Sequence, residues 1–148
     1  MTLKSPPDGY HAVTPYLVVP DAARLIDFLV AAFDAQEIER MPAPNNRIAH
    51  AEVRIGDSVV MLGEARDPHA PMNSMLYVYV PDADATWQRA VAAGGTPGQA
   101  PQDQFYGDRS GSVTDPGGNQ WWIATRIENV PPDELRRRAA AAMRNGAP

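Results

Sequence analysis

The chain has 148 residues, enough for one domain with a sizeable core, and 44% of them are hydrophobic. A net charge of −5 argues against nonspecific nucleic-acid binding, and the absence of cysteine excludes disulfides and thiolate chemistry. No apolar run approaches the ~20 residues of a membrane helix, and Met1 to Tyr10 lacks the apolar centre of a secretion signal, so a cytoplasmic protein that engages neither membrane nor nucleic acid is expected.

In chain order, residues 12–19 carry Val13, Tyr16, Leu17, Val18 and Val19 and predict a strand. Asp21 is placed to cap a helix from Ala22 to Phe33, where Leu25, Ile26, Leu29 and Phe33 make one apolar stripe. A strand is expected from Glu37 to Met41, then a turn over Pro42–Asn46. Residues 47–55 alternate in two frames, Ile48, His50, Glu52 and Arg54 against Arg47, Ala49, Ala51, Val53 and Ile55. Gly56-Asp57 signals a tight turn into a strand from Ser58 to Leu62. After a linker, a strand from about Ser74 to Val80 leads to Asp82, which caps a helix over 83–93 that ends at Gly94-Gly95. A proline-broken strand near 96–101, a loop from Gln102 to Gly107, and strands over 110–114 and 119–124 around the turn Asp115–Gly118 complete the pattern. Pro131 to Leu135 opens an alanine-rich helix over about 131–145, in which Arg136-Arg137-Arg138 beside Asp133 and Glu134 reads as a solvated face.

Two stretches repeat. Val19-Pro20-Asp21-Ala22 returns as Val80-Pro81-Asp82-Ala83, and Val30-Ala31-Ala32 as Val91-Ala92-Ala93, both 61 residues on. The hairpin runs Gly56–Leu62 and Gly118–Ala124 align at 62, which implies a one-residue insertion. One strand–helix–strand–strand–strand unit is therefore built twice, over about 12–62 and 74–125, and a pseudo-twofold pair of this kind encloses a cleft.

This doubled pattern resembles the vicinal oxygen chelate superfamily, which includes glyoxalase I, bleomycin-resistance proteins and extradiol dioxygenases. The segments Thr14–Val19, Ile48–Leu62 with His50-Ala51-Glu52, Tyr106–Asp115 and Trp122–Pro131 are similar to its PhnB-like branch. The resemblance implies a single α+β domain, two βαβββ modules with curled mixed sheets around a cleft plus a C-terminal helix, and a homodimer. In metal-using members four ligands, His, Gln or Glu, come from the first and last strands of the two modules. By the repeat those positions fall on Thr14, Met75, Trp122 and Val60, which cannot hold a hard divalent ion. No metal ligand and no cofactor is therefore expected.

Without a metal, the cleft is expected to be lined by Tyr16, Met75, Tyr77, Tyr106 and Trp122, side chains that pack flat organic ligands. Adjacent Trp121 and Trp122 must face opposite ways, and the pattern leaves open which one meets the cleft. Arg109, on the loop before the penultimate strand, is a candidate partner for an anionic group. His50 and Glu52, two apart on a strand, share a face and could form an acid–base pair, or simply a surface face with Arg54. Three functions stay open: a metal-free protein binding an aromatic or amphipathic small molecule; a lyase- or isomerase-type enzyme using His50 and Glu52 or a divalent metal; and a structural or regulatory dimer.

Overall fold

The two halves meet through their helices and keep separate sheets. In the computed structural model, which describes residues 2–146, the elements are β1 (Tyr16–Val19), α1 (Ala22–Phe33), β2 (Gln36–Ala43), β3 (Arg47–Ile55), β4 (Ser58–Glu64), β5 (Met75–Tyr79), α2 (Ala83–Ala92), β6 (Thr96–Pro97), β7 (Gln102–Asp103), β8 (Asp108–Thr114), β9 (Gln120–Arg126) and α3 (Pro132–Arg144). The first sheet has the order β1-β4-β3-β2; the second runs β5-β9-β8-β6, with β7 also pairing β8. In each sheet the first strand of the module lies parallel to the last, β1 on β4 and β5 on β9. The fold is α+β with two mixed sheets and no closed barrel.

The caps fall where the sequence places them. Asp21 accepts from the Arg24 amide at 3.1 Å and Asp82 from the Ala85 amide at 3.1 Å, each satisfying a free N–H of the first helical turn. Helix α1 buries Leu25, Ile26, Phe28, Leu29, Ala32 and Phe33 against Leu17, Val19, Ala51, Val53 and Leu62 of the first sheet. At roughly 1.5–3 kcal/mol for each large side chain, this burial is the main source of the module's stability. Helix α1 also packs on α2, and Phe33 reaches Trp121 of the second sheet with ring centroids 4.9 Å apart, so the two modules share one core.

Several strand limits differ from expectation for physical reasons. Strand β1 begins at Tyr16 and leaves Val13 exposed: Pro15 gives its carbonyl to the Met61 amide at 2.9 Å but has no N–H to continue the ladder. Strand β2 extends through Pro42 and Ala43, and the turn shrinks to three residues. Strand β8 begins at Asp108, two residues early, because Asp108 pairs with Arg126 of a longer β9. Just before it, the Gly107 carbonyl accepts from the Ile127 amide at 2.9 Å and the Glu128 amide at 3.1 Å. Gly107 has φ +99°, and a Cβ there would lie 2.5 Å from the Glu128 carbonyl oxygen, so glycine is required.

A bulge corrects the alternation of β3. The pairing with β2 passes from Met41–His50 to Pro42–Ile48 and skips Ala49. Ile48 thereby joins Ala51, Val53 and Ile55 on the buried face and does not share the face of His50 and Glu52. The register also refines the repeat. Tyr16 pairs with Met61, and Tyr77 with Trp122, so the counterpart of Trp122 is Met61 and not Val60. The inserted residue lies in the hairpin, where Ser58 pairs with Ile55 across two residues in the first module but Asn119 bonds Asp115 across three in the second.

Candidate functional site

Helices cover one face of each sheet, and the opposite faces carry the polar and aromatic side chains. On the first sheet a hydrogen-bonded chain runs through three of them and is joined by Tyr10 from the N-terminal segment. The Glu52 carboxylate receives Tyr10 Oη on Oε1, and its Oε2 lies 2.8 Å from His50 Nε2. His50 Nδ1 in turn lies 3.0 Å from Tyr16 Oη. The hydrogen bonds from His50 and then from Tyr10 hold the Glu52 carboxyl below the usual carboxylate range, outweighing its partial burial. A carboxylate at Nε2 calls for a proton there, and in the neutral imidazole Nδ1 is then free to accept from the Tyr16 hydroxyl. The N-terminal segment thus reaches the site through Tyr10.

Local structure explains the geometry. The bulge at Ala49 aims His50 across the sheet. Tyr16 crosses β4 above Gly63 to meet it: a Cβ on Gly63 would lie 2.9 Å from Tyr16 Oη and 2.8 Å from the Ala49 carbonyl oxygen. Beside this crossing lies a cavity of about 340 Å³ lined by Tyr16, Val18, Ala49, Gly63, Glu64, Arg66 and His69. The Glu64 oxygens are occupied by Arg47 Nε at 3.0 Å and the amides of Ile48 at 3.2 Å and Ala22 at 3.3 Å.

On the second sheet the buried carboxylate is Asp108, 5% exposed. It accepts from Tyr77 Oη at 2.6 Å and Tyr79 Oη at 2.9 Å. Burial first, then the bonds to Asp108 and Tyr106, push the Tyr77 phenol far above its ordinary value; the bond to Asp108 leads the rise at Tyr79. Asp108 precedes the strand expected from Ser110, and its place as the acceptor of two tyrosines had no local signal. Beside this cluster a hollow of about 380 Å³ is lined by Met75, Tyr77, Gln99, Gln102, Gln104, Phe105, Tyr106 and Trp122.

Four of the expected cleft residues, Met75, Tyr77, Tyr106 and Trp122, therefore surround one hollow. Tyr16 lines the cavity of the first module and shares a shallower groove between β1 and β5 with Met75 and Tyr77. Trp122 faces the hollow, whereas Trp121 is 2% exposed and donates its indole N–H to Asp115 Oδ2 at 2.8 Å. Arg109 stands apart. It lies on β8, not on a loop, and its alternation with Asp108 turns it toward α2, where Asp84 holds it at 2.7 and 3.0 Å and Asp103 at 3.0 Å. Both carboxylates occupy the guanidinium on the side away from Trp122.

By the strand register, the positions to which the resemblance assigns metal ligands carry Thr14, Met61, Met75 and Trp122. Two thioethers, an indole and one hydroxyl do not fit a hard divalent ion.

Residues 10–123 match the model of the Glyoxalase/Bleomycin resistance protein/Dioxygenase superfamily. An uncharacterized protein of Mycobacterium bovis is 40% identical over 136 residues, covering 84% of this chain and 90% of the relative. The crystal structure of TioX from Micromonospora sp. ML1 superposes with a TM-score of 0.68 at 28% identity, over 78% of this chain and 98% of TioX. A glyoxalase-related enzyme from Fulvimarina pelagi shares the fold, with a TM-score of 0.65 at 20% identity over 78% of this chain and 88% of its own. The chain belongs to the glyoxalase/bleomycin resistance/dioxygenase superfamily, the vicinal oxygen chelate group. No helix among the described residues is long and apolar enough to cross a membrane.

Proposed function

We propose that this protein binds an aromatic or amphipathic small molecule without a metal ion, in the hollow between Met75, Tyr77, Tyr106 and Trp122. The observation that carries the reading is the lining itself: a concave, largely apolar wall with an indole, a thioether and two phenols, edged by the amides of Gln99, Gln102 and Gln104. Its volume of about 380 Å³ suits a small organic ligand. The thioether and indole at the family's ligand positions support metal independence, because the same atoms that fail to hold a divalent ion pack well against a flat ring. The hollow stands open, which favours binding over a purely structural or regulatory role. The segments Tyr106–Asp115 and Trp122–Pro131 support a PhnB-like affiliation.

The protein acts as a homodimer in this reading. Met75 and Tyr79 stand 69% and 62% exposed on the uncovered face of the second sheet, a surface that a second copy would bury.

Trp122 supplies its own probe. Titration with planar aromatic compounds, followed by tryptophan fluorescence, should give saturable quenching that Trp122→Ala and Met75→Ala abolish. Quenching that persists unchanged in both variants would move the ligand elsewhere, and a panel with no saturable binder would end the proposal. Analytical ultracentrifugation at micromolar concentration should show a dimer.

A further inference from the structure

We propose that the Tyr16 phenol is a catalytic base, driven through His50 and Glu52, that removes a proton from a small carbon acid held in the cavity of the first module. This goes beyond ligand binding at Trp122, because it concerns a different cavity and a chemical step.

Four observations converge. First, the four groups are joined in one chain: Tyr16 Oη lies 3.0 Å from His50 Nδ1, His50 Nε2 lies 2.8 Å from Glu52 Oε2, and Tyr10 donates to the other oxygen of the same carboxylate; with the proton of a neutral imidazole on Nε2, Tyr16 donates to Nδ1. A histidine oriented by a carboxylate and accepting from a hydroxyl is the arrangement that activates a hydroxyl oxygen. Second, His50 and Glu52 are shielded, their side chains 22% and 13% exposed, while Tyr16 is 46% exposed; the chain ends in an oxygen that ligands can approach. Third, the backbone is shaped for the contact, by the bulge at Ala49 and the bare floor at Gly63. Fourth, Tyr16 opens on a cavity that His50 does not line. Glu64, the only carboxylate in that lining, is already engaged by Arg47 and two amides, so it is not the free base.

The step balances within the chain. The substrate C–H bond breaks and its electron pair moves onto an adjacent carbonyl oxygen, forming an enolate. The released proton goes to Tyr16 Oη as the phenolic proton passes to His50 Nδ1. The resulting imidazolium stands against the Glu52 carboxylate, and Arg66 and His69 line the cavity in which the enolate forms. Return of the proton to another carbon makes an isomerase; loss of a leaving group makes a lyase. Tyr16 is the catalytic residue, and His50 and Glu52 are positioning residues that act through it.

Base-promoted ring opening of nitrobenzisoxazole tests this directly. The base takes the ring C–H proton, the C–H electron pair completes a nitrile, and the N–O bond breaks to a coloured phenolate, with no co-reactant. The wild-type protein should open the ring about a hundredfold faster than Tyr16→Phe. His50→Ala should lose a similar factor and recover with added free imidazole, which a merely structural histidine would not allow. Equal rates for wild type and Tyr16→Phe, or a His50→Ala rate that imidazole leaves unchanged, would overturn the proposal. Should Tyr16→Phe fail to fold, nitrogen NMR of His50 in the wild-type protein decides: an unprotonated Nδ1 supports the relay and a protonated Nδ1 refutes it. Saturable quenching at Trp122 with no ring opening removes this proposal alone.

Discussion

Tyr16 and Tyr77 occupy the same position in the two repeats, 61 residues apart, and each hydroxyl hydrogen-bonds an ionisable side chain, His50 for one and Asp108 for the other. The frame is duplicated, but the acceptors are not. His50 lies on the bulged part of β3, whereas Asp108 lies at the very start of β8. The same strand position thus meets an imidazole in one half and a carboxylate shared by two phenols in the other.

That sharing should be visible in alkali. Tyr77 and Tyr79 donate to a buried carboxylate, so ionising either would set two negative charges together, and both phenols titrate above 10.0. Asp108→Asn removes the charge, and both tyrosines should then ionise at lower pH. Ultraviolet phenolate absorbance across an alkaline titration measures the difference.

Glu52 carries the acid-side counterpart. Its folded carboxyl titrates below 4.5, so its stabilising contribution is fully present above the unfolded value and is lost as pH falls through the folded one. Glu52→Gln should therefore cost stability near neutrality, and the gap to wild type should close on acidification below about pH 4. Urea denaturation at a series of pH values checks both sign and window.

Gly63→Ala tests the floor under Tyr16. The new methyl would meet the phenolic oxygen at 2.9 Å and the Ala49 carbonyl at 2.8 Å, and backbone cannot move aside as a flexible side chain can. A loss of about 1–3 kcal/mol is expected from such overpacking. The chemical shift of His50 should change as well, since Tyr16 must leave its bond.

Asp115→Ala tests the hairpin that holds Trp121. This carboxylate, 4% exposed, accepts from the Trp121 indole at 2.8 Å, the Gly117 amide at 2.8 Å, the Asn119 amide at 3.0 Å and the Asn119 side chain at 3.1 Å. Its removal strands several buried donors at ~1–3 kcal/mol each, so a total of about 3 kcal/mol or more is expected, with Asp115→Asn milder. Thermal unfolding followed at Trp121 reports it.

Helix α1 was legible from its cap and stripe because both signals are local. The shared face of His50 and Glu52 was legible too, since a spacing of two fixes a side on any strand. What Tyr10 and Tyr16 add to that pair was not: one depends on the path of the N-terminal segment, the other on a bulge that alternation cannot reveal. Trp121 and Trp122 had to face apart, but which one met the hollow depended on the side the helices cover. Arg109 was placed on a loop because β8 starts early only through the pairing of Asp108 with Arg126 and Arg109 with Thr125, which no local pattern announces.

Each sheet completes its backbone pairing inside its own repeat, β1 with β4 and β5 with β9, and the halves are joined by side chains at α1, α2 and Trp121. Mutations on the uncovered side of one half therefore leave the other's ladder untouched. Such an architecture lets the two halves diverge separately, a carboxylate–imidazole–phenol chain on one sheet and an indole-lined hollow on the other.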